Sequence, residues 1–246
     1  MSTPTTPRSS STDMPRRRVL IRWCLLSAAA FAGLTAAVLA VDGGLLAADA
    51  DIQQWVLQNR PAPLVTVLDA MTATGTRLVP YLAAVAAGLI AAPAFGAARA
   101  SRTALRLVVP AVAFAVWLAL GQALRFTLMS QIARPRPPAE DWLTHASRWS
   151  FPSGHATTSA MAAGLLVLAL LLRRPSAYRE WVALAVVWAA VVGVSRVWLG
   201  VHWFSDVLAG WLLAAAWTLF GAVIAVSVAS PRSASSGVNS GAPQRK

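Results

Sequence analysis

Carboxylates, lysine and cysteine are all scarce in this sequence. Only 12% of its 246 residues are charged, against about 25% in an ordinary soluble domain, so water is not the main solvent of its surface. Nine residues are Asp or Glu, too few and too scattered for a Mg²⁺ cage, and no metal or other cofactor is expected. The single cysteine, Cys24, lies inside an apolar run. That excludes an intramolecular disulfide and argues against redox chemistry. Lysine occurs once, at Lys246, so the net charge of +12 rests on arginine. Those arginines stand in short clusters between apolar runs, with no basic stripe interleaved with aromatics. The pattern argues against nucleic acid as a partner and for anionic lipid headgroups.

Hydrophobic residues make up 57% of the chain. Residues 1–15 and 231–246 are rich in Ser, Thr, Pro and Gly and are expected to be disordered cytoplasmic tails. Between them, residues 16–230 form one membrane domain. Six apolar spans approach the length of about 20 residues that a bilayer helix needs: roughly 19–41, 78–97, 104–126, 156–172, 181–199 and 206–228. The stretch 52–76 is broken by glutamines, two prolines and Asp69, and is expected to be an interfacial helix and turn. The first span follows Arg16-Arg17-Arg18, but its apolar core is longer than a secretory h-region, so it is expected to be a retained anchor. The predicted class is therefore all-α: an integral membrane bundle of six transmembrane helices.

Charge bias orients the bundle. With six spans, Arg8, Arg16–Arg18, Arg22, Arg99, Arg102, Arg106, Arg173, Arg174, Arg179, Arg232, Arg245 and Lys246 fall on one side. Asp42, Asp49, Asp51, Asp69, Glu140 and Asp141 fall on the other, with the motif arginines, Arg60, Arg77 and Arg148. The positive-inside rule places both termini in the cytoplasm and the motifs at the outer face.

Three polar clusters adjoin the spans. Arg134-Pro135-Arg136-Pro137 follows the third. Its guanidinium forks match phosphate oxygens, and its prolines stop the helix and stiffen the exit. Pro152-Ser153-Gly154-His155 opens the fourth span. Ser153 is a natural N-cap, the free amides of a helix start form an anion site, and an imidazolium at His155 could protonate a leaving oxygen. Ser195-Arg196 ends the fifth span, and His202 and Asp206 straddle the start of the sixth. Their i, i+4 spacing lets the carboxylate fix the imidazole tautomer and leave the other nitrogen free to attack phosphorus. Taken alone, each cluster has a plain reading as a turn, a cap or a membrane-edge ion. Together they supply the groups needed to cleave a phosphoryl ester, and their place among apolar spans points to a lipid.

In these clusters the chain resembles the type 2 phosphatidic acid phosphatase (PAP2) superfamily over roughly residues 78–228. The family pattern is Lys, six residues, Arg-Pro; then Pro-Ser-Gly-His; then Ser-Arg, five residues, His, three residues, Asp. The second and third blocks match fully. In the first, Arg136-Pro137 fits, but the Lys position holds Met129. Arg125 lies four residues further back, close to one helical turn, and would reach the site if the helix continues. The resemblance implies that His202 is the nucleophile of a phosphohistidine, Asp206 its orienter, and His155 the acid and then the base. It further implies that Arg136, Arg196, Ser153 and the Gly154 amide bind phosphate, with Arg134 supporting and Arg125 in the missing Lys place, and that no metal takes part.

The expected function is hydrolysis of a lipid phosphate at the outside of a bacterial cytoplasmic membrane. Undecaprenyl diphosphate is the leading substrate; phosphatidic acid or phosphatidylglycerol phosphate is the alternative. A non-catalytic transporter or assembly factor that merely binds lipid phosphate is the rival from another class. Oligomeric state is left open. His145, outside the motifs, reads as a solvated loop residue. Trp142, Trp149, Trp198 and Trp203 read as an outer aromatic belt, with Trp23 toward the inner edge.

Overall fold

The computed structural model describes residues 13–41, 44–95 and 103–229, and among them there is no strand. Eight α-helices follow one another: α1 (Asp13–Ala40), α2 (Ala47–Gln58), α3 (Ala62–Ala73), α4 (Leu78–Ala91), α5 (Thr103–Ile132), α6 (Gly154–Arg173), α7 (Tyr178–Trp198) and α8 (Phe204–Ala229). Five of them are long and apolar enough to cross a membrane, and six spans result if the bent pair α3–α4 counts as one. The expected all-α membrane bundle is therefore what the chain forms.

Two boundaries differ from expectation. Helix α1 starts at Asp13, inside the segment read as a tail, because Pro15 falls in the first turn, where a missing amide costs nothing. The tail segments 1–12 and 230–246 lie outside the described residues, as do Asp42, Arg99 and Arg102. The second span is not one helix over 78–97. Its helix α4 has 14 residues, roughly 21 Å at 1.5 Å per residue, and it gives way at Ala92–Phe95 to a 3₁₀ turn carrying Pro93. Helix α3 precedes it at a 55° bend. The stretch read as an interfacial helix and turn thus holds two helices, α2 and α3.

Helix α6 is the hub, packing along α7, α4 and α8, while α1 lies along α8 and α4 along α5. Small residues set these distances. Ala84, Ala87 and Ala91 of α4 meet Met161, Leu165 and Ala169 of α6 in the main core, with Leu118, Leu213 and Ala214. In a bilayer such close backbone approach replaces the hydrophobic drive between helices. Gly88 shows how tight it is: an added Cβ would lie 2.4 Å from the Pro110 carbonyl oxygen of α5. The outer faces carry Leu25, Val109 and Val187, each more than half exposed, a surface suited to lipid rather than water. Arg17 at the start of α1 donates to Ser227 Oγ near the end of α8 (3.1 Å). These two helix ends therefore share one side of the bundle. The motif residues gather at the opposite end, where α5 ends and α6 and α8 begin.

Candidate active site

His202 occupies the short turn between α7 and α8, and Asp206 the first turn of α8. The turn is sharp because Gly200 adopts φ +74°, where an added Cβ would lie 2.3 Å from the Asp141 carbonyl oxygen. Asp206 Oδ2 accepts from the Trp203 amide (2.9 Å) and pairs with His202 Nδ1 (3.2 Å). Arg136 Nη1 donates to His202 Nε2 (2.9 Å). Since a guanidinium can only donate, Nε2 carries the lone pair and Nδ1 the hydrogen. Burial, then the positive charges of Arg136 and Arg196, hold the His202 pKa well below its ordinary value, partly offset by the Ser150 carbonyl. The ring is thus a neutral imidazole with its lone-pair nitrogen turned away from Asp206.

Behind this pair lies a dry buttress. Arg134, only 2% exposed, donates to Asp206 Oδ1 (2.5 Å), Ser205 Oγ (2.7 Å), Asp49 Oδ2 (2.6 Å) and the Gly44 carbonyl (2.5 Å). Asp49, on α2, also accepts from the Ser205 amide (2.8 Å) and hydroxyl (2.5 Å). Two buried carboxylates thus share one guanidinium, and each of their four oxygens accepts at least one hydrogen bond. Arg134 was expected to support phosphate binding. The structure instead turns it into the protein, where Asp49 and Asp206 neutralise it; it is a positioning residue for the carboxylate that orients His202.

In front of the pair is a cavity of about 640 Å³. His155, His202, Gly154, Arg125, Arg136 and Arg196 all line it, so the motif residues from three sequence blocks converge there. Arg136 is held by the carbonyls of Arg148, Ser147, Trp149 and Val201 at 2.6–3.0 Å. Burial lowers its pKa, and the Asp206 carboxylate counters that; it stays a cation at neutral pH. Arg196, 2% exposed, makes its only guanidinium hydrogen bond among the described residues to Thr72 Oγ1 (3.0 Å). The ring of His155 faces the cavity without a hydrogen bond among those residues. Ser153 is the N-cap of α6, but its hydroxyl makes no capping bond and is buried with no partner among the described residues. The amides of Gly154, His155 and Ala156 belong to the first turn and have no intrahelical partner.

Helix α5 runs on to Ile132, so Arg125 and Met129 share a face one turn apart, and Arg125 enters the cavity. Its guanidinium lies over Gly154, with Cζ 3.4 Å from where a Gly154 Cβ would be. Nη1 donates to Met129 Sδ (3.2 Å). His145 is exposed but lines the same cavity, as do Asp69, Thr72 and Arg148, none of which was expected at the site from sequence. Trp142 and Trp203 donate their indole N–H groups to the carbonyls of Pro137 and Pro135 (3.0 Å each), tying down the arginine loop. Among the described residues no group of three or more His, Cys, Asp or Glu is placed to hold a metal ion.

The model of the PAP2 superfamily matches residues 110–228. Phosphatidylglycerophosphatase B of Bacillus subtilis is 40% identical over 93 residues, 37% of this chain and 45% of that protein. An undecaprenyl-diphosphatase of Sulfolobus acidocaldarius is 33% identical over 108 residues, 42% of this chain and 47% of that protein. The alignments thus span about half the length of these curated relatives. The crystal structure of a transmembrane PAP2-type phosphatidylglycerolphosphate phosphatase from Bacillus subtilis covers more: 85% of this chain and 98% of its own, with TM-score 0.64 and 27% identity. With all three motif blocks on one cavity, the matched segment, residues 110–228, belongs to the PAP2 superfamily.

Proposed function

We propose that this chain is a membrane lipid phosphatase acting through a phosphohistidine, with both termini in the cytoplasm and the cavity at the outer face of a bacterial cytoplasmic membrane. The observation that carries the reading is the His202 geometry: Nδ1 against Asp206, Nε2 toward a cavity lined by guanidinium groups.

A phosphoryl group entering the cavity would take the Arg136 N–H now on His202 Nε2, releasing that lone pair. Arg196, Arg125 and the amides of Gly154 and His155 would hold the equatorial oxygens and neutralise charge that builds in the transition state. His202 Nε2 then bonds to phosphorus as the phosphorus–oxygen bond to the lipid breaks, and His155 gives that oxygen a proton. Asp206, held by Arg134, stabilises the imidazolium that develops. In the second half His155 takes a proton from water, whose oxygen attacks phosphorus and displaces His202, freeing orthophosphate. Guanidinium groups supply the charge neutralisation, so no metal is required.

The lipid portion has a place to go. An apolar groove of about 660 Å³ lies among α3, α4, α6 and α7, lined by Met71, Val79, Leu170 and Trp188. Met71 faces the groove while its neighbour Thr72 lines the polar cavity. A chain lying there would leave the headgroup with the arginines, and hydrolysis would proceed without full extraction from the bilayer. Undecaprenyl diphosphate is the leading substrate, since its phosphates are displayed outside and a relative is named for that activity. Phosphatidylglycerol phosphate is the second reading, favoured by the two Bacillus relatives. Phosphate release from both lipids by the purified protein in detergent with EDTA is the test. Activity in EDTA and none in His202→Ala is expected; a His202→Ala protein that hydrolyses normally would point to a lipid-phosphate binder.

A further inference from the structure

The cavity holds more positive charge than one phosphate answers. Arg77, Arg125, Arg136, Arg148 and Arg196 line it, against a single carboxylate, Asp69. One phosphoryl group carries a charge of roughly −2. It would leave part of this field unbalanced, and repulsion among desolvated guanidinium groups is costly without an anion between them.

The surplus is localised. Arg136 and Arg196 stand at the two histidines; Arg125 lies over Gly154 beside them and also, with Arg148, beside the Phe126 ring, their Cζ atoms 5.8 and 5.0 Å from its centroid. The two cations repel each other, and neither makes an ion pair among the described residues. Arg125 Nε is buried without a hydrogen-bond partner among the described residues. Arg148 is also held in an unfavourable left-handed backbone conformation, φ +61°, which a non-glycine residue adopts only where its surroundings hold it. Its carbonyl is fixed there by Arg136 Nε (3.0 Å). The clamp on Arg136 therefore also sets the direction in which Arg148 leaves the loop.

Resting on the phosphatase reading above, we infer that Arg148, with Arg125 shared between it and the reacting phosphate, forms a second anion subsite for a non-reacting phosphate carried by the same lipid headgroup. The site would thus be built for bis-phosphoryl headgroups rather than for a lone phosphomonoester. The second phosphate would be either the leaving phosphate of a diphosphate or a phosphodiester set back by a short linker. In a diphosphate, Arg125 and Arg148 would stabilise the charge that develops on the departing phosphate.

The experiment compares kcat/KM within two substrate pairs: a prenyl diphosphate against the prenyl monophosphate of equal chain, and phosphatidylglycerol phosphate against phosphatidic acid. In Arg148→Gln the ratio of bis- to mono-phosphoryl substrate should fall about tenfold in at least one pair, and the affected pair identifies the headgroup. A ratio unchanged in both pairs overturns the second-phosphate assignment alone. No hydrolysis of any of the four lipids by the unaltered protein overturns the phosphatase reading, and this inference with it. A second readout needs no variant and tests the diphosphate form: inorganic pyrophosphate should inhibit the unaltered enzyme at about tenfold lower concentration than orthophosphate, and equal potency overturns the assignment to a directly linked second phosphate.

Discussion

Arg134 and Arg136 are two residues apart, yet they serve opposite sides of the His202–Asp206 pair. Behind it, Arg134 meets two carboxylates and a serine in a dry site. In front, Arg136, Arg196 and Arg125 face an open cavity, and none of them makes an ion pair among the described residues. The side chains are chemically identical; the partners decide their use. A guanidinium whose charge is answered within the fold fixes geometry, and one whose charge is left open waits for an anion.

The largest effect expected from breaking this contrast comes from the buttress. Arg134→Met leaves Asp49 and Asp206 buried without their cation and should destabilise the protein by about 3–5 kcal/mol. Denaturation in detergent measures it; a variant as stable as the parent would place Arg134 among the substrate ligands instead. Next, Arg196→Gln should cut kcat/KM about a hundredfold while its unfolding midpoint stays close to the parent's. A large stability loss there would erase the distinction between the two regions. Arg125→Ala should lose about tenfold in kcat/KM, and an unaffected enzyme would remove Arg125 from the site. The smallest effect is on pH dependence. The folded pKa of His202 lies well below its unfolded value of about 6.5, so below that pH the unfolded chain binds a proton the folded one does not. Stability should therefore rise with pH toward about 6.5 and be lost below it, by at most about 1.4 kcal/mol per pH unit. His202→Gln should flatten that limb; an unchanged profile would assign it to other groups.

The same contrast shows what the sequence could reveal. Motif spacing placed His155, His202, Asp206, Arg136 and Arg196 together because each sits at a helix end, and the spans bring those ends to one side of the bundle. Arg125 was legible for a local reason: four residues is about one turn of an α5 that continues to Ile132. Arg134 was misread because nothing local distinguishes it from Arg136. What does is Asp49, whose bonds to Ser205 cross 156 residues of sequence, on a helix that starts before the stretch read as interfacial. Arg148 was missed for the same reason, since its place beside Phe126 depends on how the loop before α6 folds back. The shortened α4 had a local signal, Pro93, which hydropathy alone passes over.

The most direct measurement is a rapid-quench single turnover with lipid labelled at its terminal phosphate, followed by mapping of protein-bound label stable to alkali and labile to acid. The account predicts label on His202, accumulating further in His155→Ala and absent from His202→Ala. Complete turnover with no label at His202 at any time, in the parent and in His155→Ala alike, would contradict it.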